Sequence, residues 1–177
     1  MTCLRNILVK NWFTDKIAGK FNTPVPLIAR ANGIRGDRIN VGQRLLLLDG
    51  KAHPFSVTVS KSANSLVVLL DGRFFKRYVC ATGRDGKTPE GTFKIVEKTE
   101  HPTWYPSGRP PIPYGTPENQ LGTHWLALDR PGYGIHGTWD PDSLGSQSSD
   151  GCVRLCNDDI EELFSILPRG TAVTITP

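Results

Sequence analysis

Residues 55–81 constrain this chain more than any other stretch. Phe55, Val57 and Val59 alternate with polar residues, the period-two pattern of a strand with one buried face. Ser65 to Leu70 is more uniformly apolar and reads as a strand buried on both faces. Asp71-Gly72 is a strong signal for a tight hairpin, and Arg73 to Ala81 returns as the partner strand. Further strands read over Thr92–Lys98, His124–Asp129, Tyr133–Thr138, Cys152–Leu155 and Ala172–Thr176. A helix is expected from about Asp158 to Leu167, with Asn157 as N-cap. Asp158, Asp159, Glu161 and Glu162 put negative charge at its positive end, and Ile160, Leu163, Phe164 and Leu167 form its apolar face. Strands dominate, with one helix near the end.

Between two of these strands lies a segment, 101–122, that holds Pro102, Pro106, Pro110, Pro111, Pro113 and Pro117. Prolines this dense exclude regular helix and central strand, so the segment is a long loop. It is either an ordered cover over a functional site or a floppy insertion. Trp104 and Tyr105 lean toward the first, because aromatic side chains gain from burial.

The text ahead of residue 55 has another character. Residues 1–16 carry no firm structural signal. Ile17, Ala18 and Phe21 fit a short amphipathic helix. Thr23 with Pro24 marks the start of a second, Thr23 as N-cap and Pro24 at the first position; Leu27, Ile28 and Ala31 form its apolar face and Asn32-Gly33 ends it. Asp37 to Gln43 is a turn into the apolar strand Arg44–Leu48, and Asp49 to Pro54 is a short linker. A chain of 177 residues accommodates one ordinary domain with a small appendage and buries a core without needing disulfides. No run approaches the roughly 18 apolar residues of a membrane span. The net charge of +4 is compatible with anionic polymers, but no Lys/Arg block or nucleic-acid motif accompanies it, so nucleic acid ranks low as a partner. The first residues lack a basic region followed by an apolar stretch of signal length, so either export does not use that route or the start is trimmed or misassigned.

Chemistry concentrates between His136 and Asn157, HGTWDPDSLGSQSSDGCVRLCN. A thiol becomes a useful nucleophile when a neighbouring imidazole takes its proton. His136 and Cys152 are spaced so that a loop can bring them together. Gly137 and Gly151 beside them allow close approach of backbone groups to a substrate, and amides there can stabilise an oxyanion. The four cysteines, Cys3, Cys80, Cys152 and Cys156, match neither a dense disulfide scaffold nor paired zinc knuckles. Cys80 reads as plain core. A metal site built from Cys152, Cys156 and His136 or His124 is a weaker alternative, so the expectation is no metal and no cofactor.

Ile135-His136-Gly137-Thr138 followed by Ser149-Asp150-Gly151-Cys152-Val153-Arg154-Leu155 closely resembles the YkuD-type L,D-transpeptidases. The resemblance runs over about residues 55–177 and includes TGRDGKTPEGTFKI, LGTHWLAL and PRGTAVTI. It implies a mostly β fold, a β-sandwich of mixed sheets, acting on peptidoglycan tetrapeptide stems. Cys152 would attack the carbonyl that precedes D-alanine, and an amine of a neighbouring stem would take the acyl group to give a 3-3 cross-link. With water as acceptor the same acyl-enzyme gives an L,D-carboxypeptidase. Carried onto this chain, His136 is the general base, the Gly137 carbonyl orients it, and amides of Gly151 and Cys152 form the oxyanion hole. Ser149 braces the loop, Arg154 holds a substrate carboxylate, and Trp139 stacks on substrate. Asp150 stands where many members have histidine; its charge raises the thiol pKa unless the side chain points outward. IAGKFNT, LIARANGI and INVGQRLLL resemble a LysM module, a small strand–helix–helix–strand domain that binds N-acetylglucosamine-containing glycans. Its opening strand is absent or degraded in LVKNWFTDK. The expected organisation is a LysM-like module over 1–50 and a catalytic domain over 55–177. The expected partners are peptidoglycan stem peptides and glycan strands, and the expected location is the bacterial cell envelope. The competing reading is a peptidoglycan-binding protein without catalysis.

Overall fold

The structure, a computed structural model, describes residues 4–9, 14–35 and 39–177. Its N-terminal part is a two-stranded antiparallel sheet, β1 (Leu4–Leu8) with β2 (Arg44–Leu48), in full register from Leu4↔Leu48 to Leu8↔Arg44. The opening strand expected to be absent or degraded is therefore present. Its signal is faint because both strands of a two-stranded sheet are edges: Ile7 packs inward while Asn6 and Leu8 face solvent, so pairing rather than a broad apolar face defines the strand. Helices α1 (Thr14–Phe21) and α2 (Val25–Asn32) follow, and Ile28, Leu45 and Leu47 form a buried core with Ile17 and Phe21 against it. Thr23 is not the N-cap. Its hydroxyl donates to the Leu48 carbonyl at the end of β2, a buried acceptor that needs a partner, and Pro24 takes the cap position without a side-chain bond. Of the expected turn at 37–43, Asp37 and Arg38 lie outside the described residues, and the remainder closes through Gln43 N–H to Asn40 O at 3.0 Å.

The larger part is built on one curled mixed sheet in the order β11-β9-β8-β7-β12-β3-β4-β5. These strands are β3 (Phe55–Ser60), β4 (Ser65–Leu70), β5 (Arg73–Val79), β7 (Gly91–Glu100), β8 (His124–Leu128), β9 (Gly134–His136), β11 (Val153–Arg154) and β12 (Ala172–Thr176). A separate parallel pair joins β6 (Thr82–Gly83) to β10 (Gln147–Ser149). Within the large sheet β12 runs parallel to β3 and β11 parallel to β9, and the other pairs are antiparallel. At the hairpin Asp71 (φ 53°) and Gly72 (φ 71°) both adopt left-handed backbone, the two-residue turn whose twist matches the strands it joins.

The curl turns on β7. Its first half, through Lys94, pairs with β12, and its second half, from Ile95, pairs with β8, with a bulge between Ile95 and Glu97. Helix α3 (Asn157–Ile166) lies in the concavity, and its Ile160, Leu163 and Ile166 join Val57, Leu66 and Leu126 in one core. Fully burying side chains of this size contributes about 1.5–3 kcal/mol each. The expectation that Ser65–Leu70 is buried on both faces is corrected: Leu66 and Val68 are core, but Val67 and Leu69 are half-buried, because they pair across to Arg77 and Phe74 on an exposed face.

Candidate active site

Two short parallel strands bring the chemistry together. Val153 pairs with Ile135 and Arg154 with His136, and neighbours in register point to the same face of a sheet. Ile135 and Val153 turn into the core, so His136 and Arg154 turn to the opposite face. Cys152, one position before Val153, shares that opposite face and stands across from Gly134. The motif residues thus meet through strand register rather than through a free loop.

The His136 ring is buried, stacked on Trp125 with ring centroids 5.7 Å apart, and its Nδ1 lies 2.6 Å from the Gly137 carbonyl. A carbonyl only accepts, so Nδ1 carries the hydrogen and Nε2 keeps its lone pair. Burial depresses the imidazole pKa to about 4, the Gly137 carbonyl opposing and the Arg154 charge reinforcing the fall. Burial also raises the Cys152 thiol, against the lowering effect of the Gly134 backbone and of Arg154. Both partners are neutral at rest, and Cys152 Sγ donates to the Gly132 carbonyl at 3.6 Å.

A chain of hydrogen bonds fixes the backbone beneath the thiol. Ser149 Oγ donates to the Cys152 carbonyl at 2.6 Å and accepts the Gly151 N–H at 3.1 Å. Thr88 Oγ1 donates to the Gly151 carbonyl at 2.9 Å and accepts the Gly83 N–H at 2.6 Å. Gly151 has φ 130°, and a Cβ there would stand 2.8 Å from the Tyr133 ring. The Gly151 amide, expected in the oxyanion hole, is engaged by Ser149. Asn157 also departs from expectation: Cys156 occupies the N-cap of α3, and Asn157 Oδ1 accepts the Thr123 N–H at 3.1 Å while lying against Gly137.

Asp150 points outward. Its carboxylate pairs with Arg84 and, at 3.3 Å, with Lys87 Nζ, and these contacts hold its pKa below the ordinary range. Arg154 Nη2 donates to Gln120 Oε1 at 3.3 Å, and its buried Nε has no protein partner. Trp139 lies with the aromatic rings of the proline-rich segment, half exposed, its centroid 6.3 Å from that of Tyr114, rather than on a wall beside Cys152. Cys156 hydrogen-bonds to Asp159, and among the described residues no three His, Cys, Asp or Glu side chains are grouped to hold a metal ion. Cys80 is buried core, its thiol pushed up to about 12 by burial.

The proline-rich segment is an ordered cover. Trp104 and Ile112 exchange backbone hydrogen bonds of 2.8 Å each way. Asn119, buried, donates from Nδ2 to Pro102 O (2.9 Å) and Ile112 O (3.0 Å) and accepts the Leu121 N–H at 2.9 Å. The rings of His101 and Tyr114 are in tilted contact, centroids 4.3 Å apart. Under this cover two cavities, of about 530 and about 700 Å³, both open on Cys152, Trp104 and Leu121.

The profile of the YkuD family, described as the L,D-transpeptidase catalytic domain, matches residues 54–175. The chain belongs to the YkuD family of L,D-transpeptidases. The profile of the LysM domain matches residues 15–47, so a LysM domain precedes the catalytic domain. The YkuD protein of Bacillus licheniformis is 34% identical over 168 residues, which span 92% of this chain and 93% of that protein. YqjB of Bacillus subtilis is 41% identical over 126 residues, 68% of this chain and 70% of that protein. An L,D-transpeptidase from Mycobacterium smegmatis shares the fold with a TM-score of 0.61 at 22% identity, over 78% of this chain and 65% of that one. The catalytic domain of the Enterococcus faecium L,D-transpeptidase does so with a TM-score of 0.57 at 23% identity, over 68% of this chain and 95% of that domain.

Sequence reasoning missed Trp125, Thr88, Gly132 and Asn119. Trp125 reads as an ordinary strand residue, and Thr88 lies in a turn-rich connection whose partners are distant in sequence. Asn119 gave a hint: a carboxamide in a segment whose prolines supply no N–H is a candidate to satisfy the carbonyls left over.

Proposed function

We propose that this L,D-transpeptidase transfers acyl groups of peptidoglycan tetrapeptide stems through a thioester on Cys152, releasing D-alanine and forming 3-3 cross-links. The observation that supports it most is the shared sheet face of His136, Cys152 and Arg154 beneath an ordered cover. His136 Nε2 takes the thiol proton as Cys152 Sγ attacks the carbonyl, then passes it to the departing D-alanine nitrogen. Because both groups are neutral at rest, this transfer accompanies attack, and the thiol hydrogen swings from Gly132 O to the imidazole when substrate arrives. With the Gly151 amide committed to Ser149, the Cys152 amide is the oxyanion donor that remains of the expected pair. Arg154, its Nε unpartnered, binds a substrate carboxylate.

The second half-reaction uses an amine of another stem. Two cavities meeting at one thiol suit two substrates better than one substrate and water, which favours transfer over L,D-carboxypeptidase activity. The LysM domain, over about residues 1–50, supplies affinity for glycan strands and holds the catalytic domain, 55–177, on the wall in the cell envelope. No described helix is long and apolar enough to cross a membrane. A structural relative, itself an L,D-transpeptidase, is described in complex with imipenem, which makes that compound a suitable probe. Intact-mass measurement after incubation with imipenem is expected to show one adduct on the wild type and none on Cys152→Ala. An unmodified wild type would overturn the proposal and favour a wall-binding protein without catalysis.

A further inference from the structure

The two cavities at Cys152 differ in charge. The larger one is lined by Lys87, Arg109 and Arg154, and its one carboxylate, Asp150, is already paired with Arg84 and Lys87. The smaller one is lined by Glu97, Thr99 and Trp125 under Pro102–Tyr105, with no lysine or arginine on its walls. Among the described residues Glu97 has no ion-pair partner; its recorded contact is the Thr99 hydroxyl, donated to Oε1 at 3.2 Å.

The bulge in β7 puts Glu97 there. Ile95 faces the core opposite Leu128, so strict alternation would send residues 97 and 99 inward as well. The extra residue, Val96, shifts the pattern by one. Lys98 then faces the core opposite Leu126, where its Nζ donates to Leu167 O at 2.8 Å, while Glu97 and Thr99 turn to the cleft. Register carries the row onward: Glu97 pairs with Ala127, Ala127 with Gly134, and Gly134 stands beside Cys152. Three strand spacings separate the ends of this row, about 14 Å between backbones. Small residues occupy the middle positions.

We propose that the Glu97 cavity is the acceptor side of the cleft and that Glu97 is a specificity-determining residue for cationic amines. This rests on the acyl-transfer reading. The thioester forms with the donor's carboxylate on the Arg154 side, and the amine arrives past Glu97. In water an alkyl amine is largely an ammonium ion, and an unpaired carboxylate at the mouth concentrates it. Before attack the ammonium gives up one proton to water, and the neutral nitrogen attacks the thioester carbonyl: the C–N bond forms, the C–S bond breaks, and a second proton passes from that nitrogen to His136 and then to the released thiolate. Glu97 lies too far from the sulfur to be the base, and it acts on capture.

The test uses the full chain, a synthetic tetrapeptide ending in D-alanine as donor, and two acceptors with the same reacting amine, an α,ω-diamine and the matching amino alcohol. Counted per reacting amine, the wild type is expected to favour the diamine by about threefold to fivefold in kcat/KM, a preference carried by KM and erased by high salt. In Glu97→Gln the preference disappears while the rate of imipenem acylation stays unchanged, and in Glu97→Lys it inverts. Normal acylation with the same diamine preference in wild type and both variants would overturn the Glu97 assignment and leave acyl transfer standing. Absence of acylation in the wild type would remove both.

Discussion

The two walls of the cleft are held in different ways. The wall that carries Cys152 is tied backbone to backbone: two strand pairings, the Gly83–Thr88–Gly151–Ser149 chain and a glycine that tolerates no side chain leave it one arrangement. The cover over 102–121 is held by one short bridge, a tilted ring contact between His101 and Tyr114, and the three hydrogen bonds of a single carboxamide, Asn119. In the acyl transfer proposed above, the nucleophile needs positional precision, whereas a cover must let two polymer segments in and a longer one out. Stiffness follows that division of labour.

The largest effect is expected from the rigid wall. His136→Ala removes the proton acceptor and lowers the imipenem acylation rate by about 10²–10⁴-fold with Cys152 still in place, measured by stopped-flow or intact mass. Acid tests the same side through stability. His136 titrates near 4 in the folded protein and near 6.5 when unfolded. Between those values the unfolded chain binds more protons, so the free energy of unfolding falls as pH falls through that window and levels off below it. The loss from His136 is about 3 kcal/mol, and urea titrations at several pH values should show a steeper slope in the wild type than in His136→Gln, which keeps the contribution of the buried His124, lowered in the same direction.

Gly151→Ala forces a side chain against Tyr133 at φ 130° and costs about 1–3 kcal/mol in strain, with acylation falling alongside the melting temperature. Asn119→Ala separates the two walls. It leaves the buried Pro102 carbonyl unpaired and takes one of two hydrogen bonds from the Ile112 carbonyl, which keeps the Trp104 N–H; the cost is about 1–3 kcal/mol, which the cover can shed by detaching locally. Hydrogen exchange over 102–121 rises, while the strands around Cys152 stay protected; equal loosening of both walls would break the comparison. Asp150→Asn is expected to change least. Its pairs with Arg84 and Lys87 are exposed, so stability moves by less than about 1 kcal/mol, and the thiol titrates slightly lower.

Much of the catalytic domain was legible in the sequence because it is written in local signals. The Asp71-Gly72 hairpin, the strands Ser65–Leu70 and Ala172–Thr176, and the motif around Cys152 need neighbours only a few residues away. What escaped depends on distant partners. Leu4–Leu8 is a strand because β2 lies beside it, Thr23 bonds Leu48 rather than its own helix, and Asn157 serves Thr123. The cover was the hardest to read. Its prolines announce irregular backbone, and whether such backbone is folded is decided by one buried asparagine and a contact between two rings.

The parallel pairing of β9 with β11 has a temporal side. Parallel neighbours cannot be joined by a tight turn, so the chain must leave at His136, travel past β6 and return before Cys152 finds its base. Local hairpins such as β4–β5 close early, and contacts spanning such a detour close late. Until that pairing closes, Cys152 is an ordinary thiol without an imidazole, and the proposed competence to form an acyl-enzyme waits for it. In a refolding experiment imipenem labelling would lag behind the recovery of the local hairpins, so the chain is chemically quiet while its site is still two separate segments.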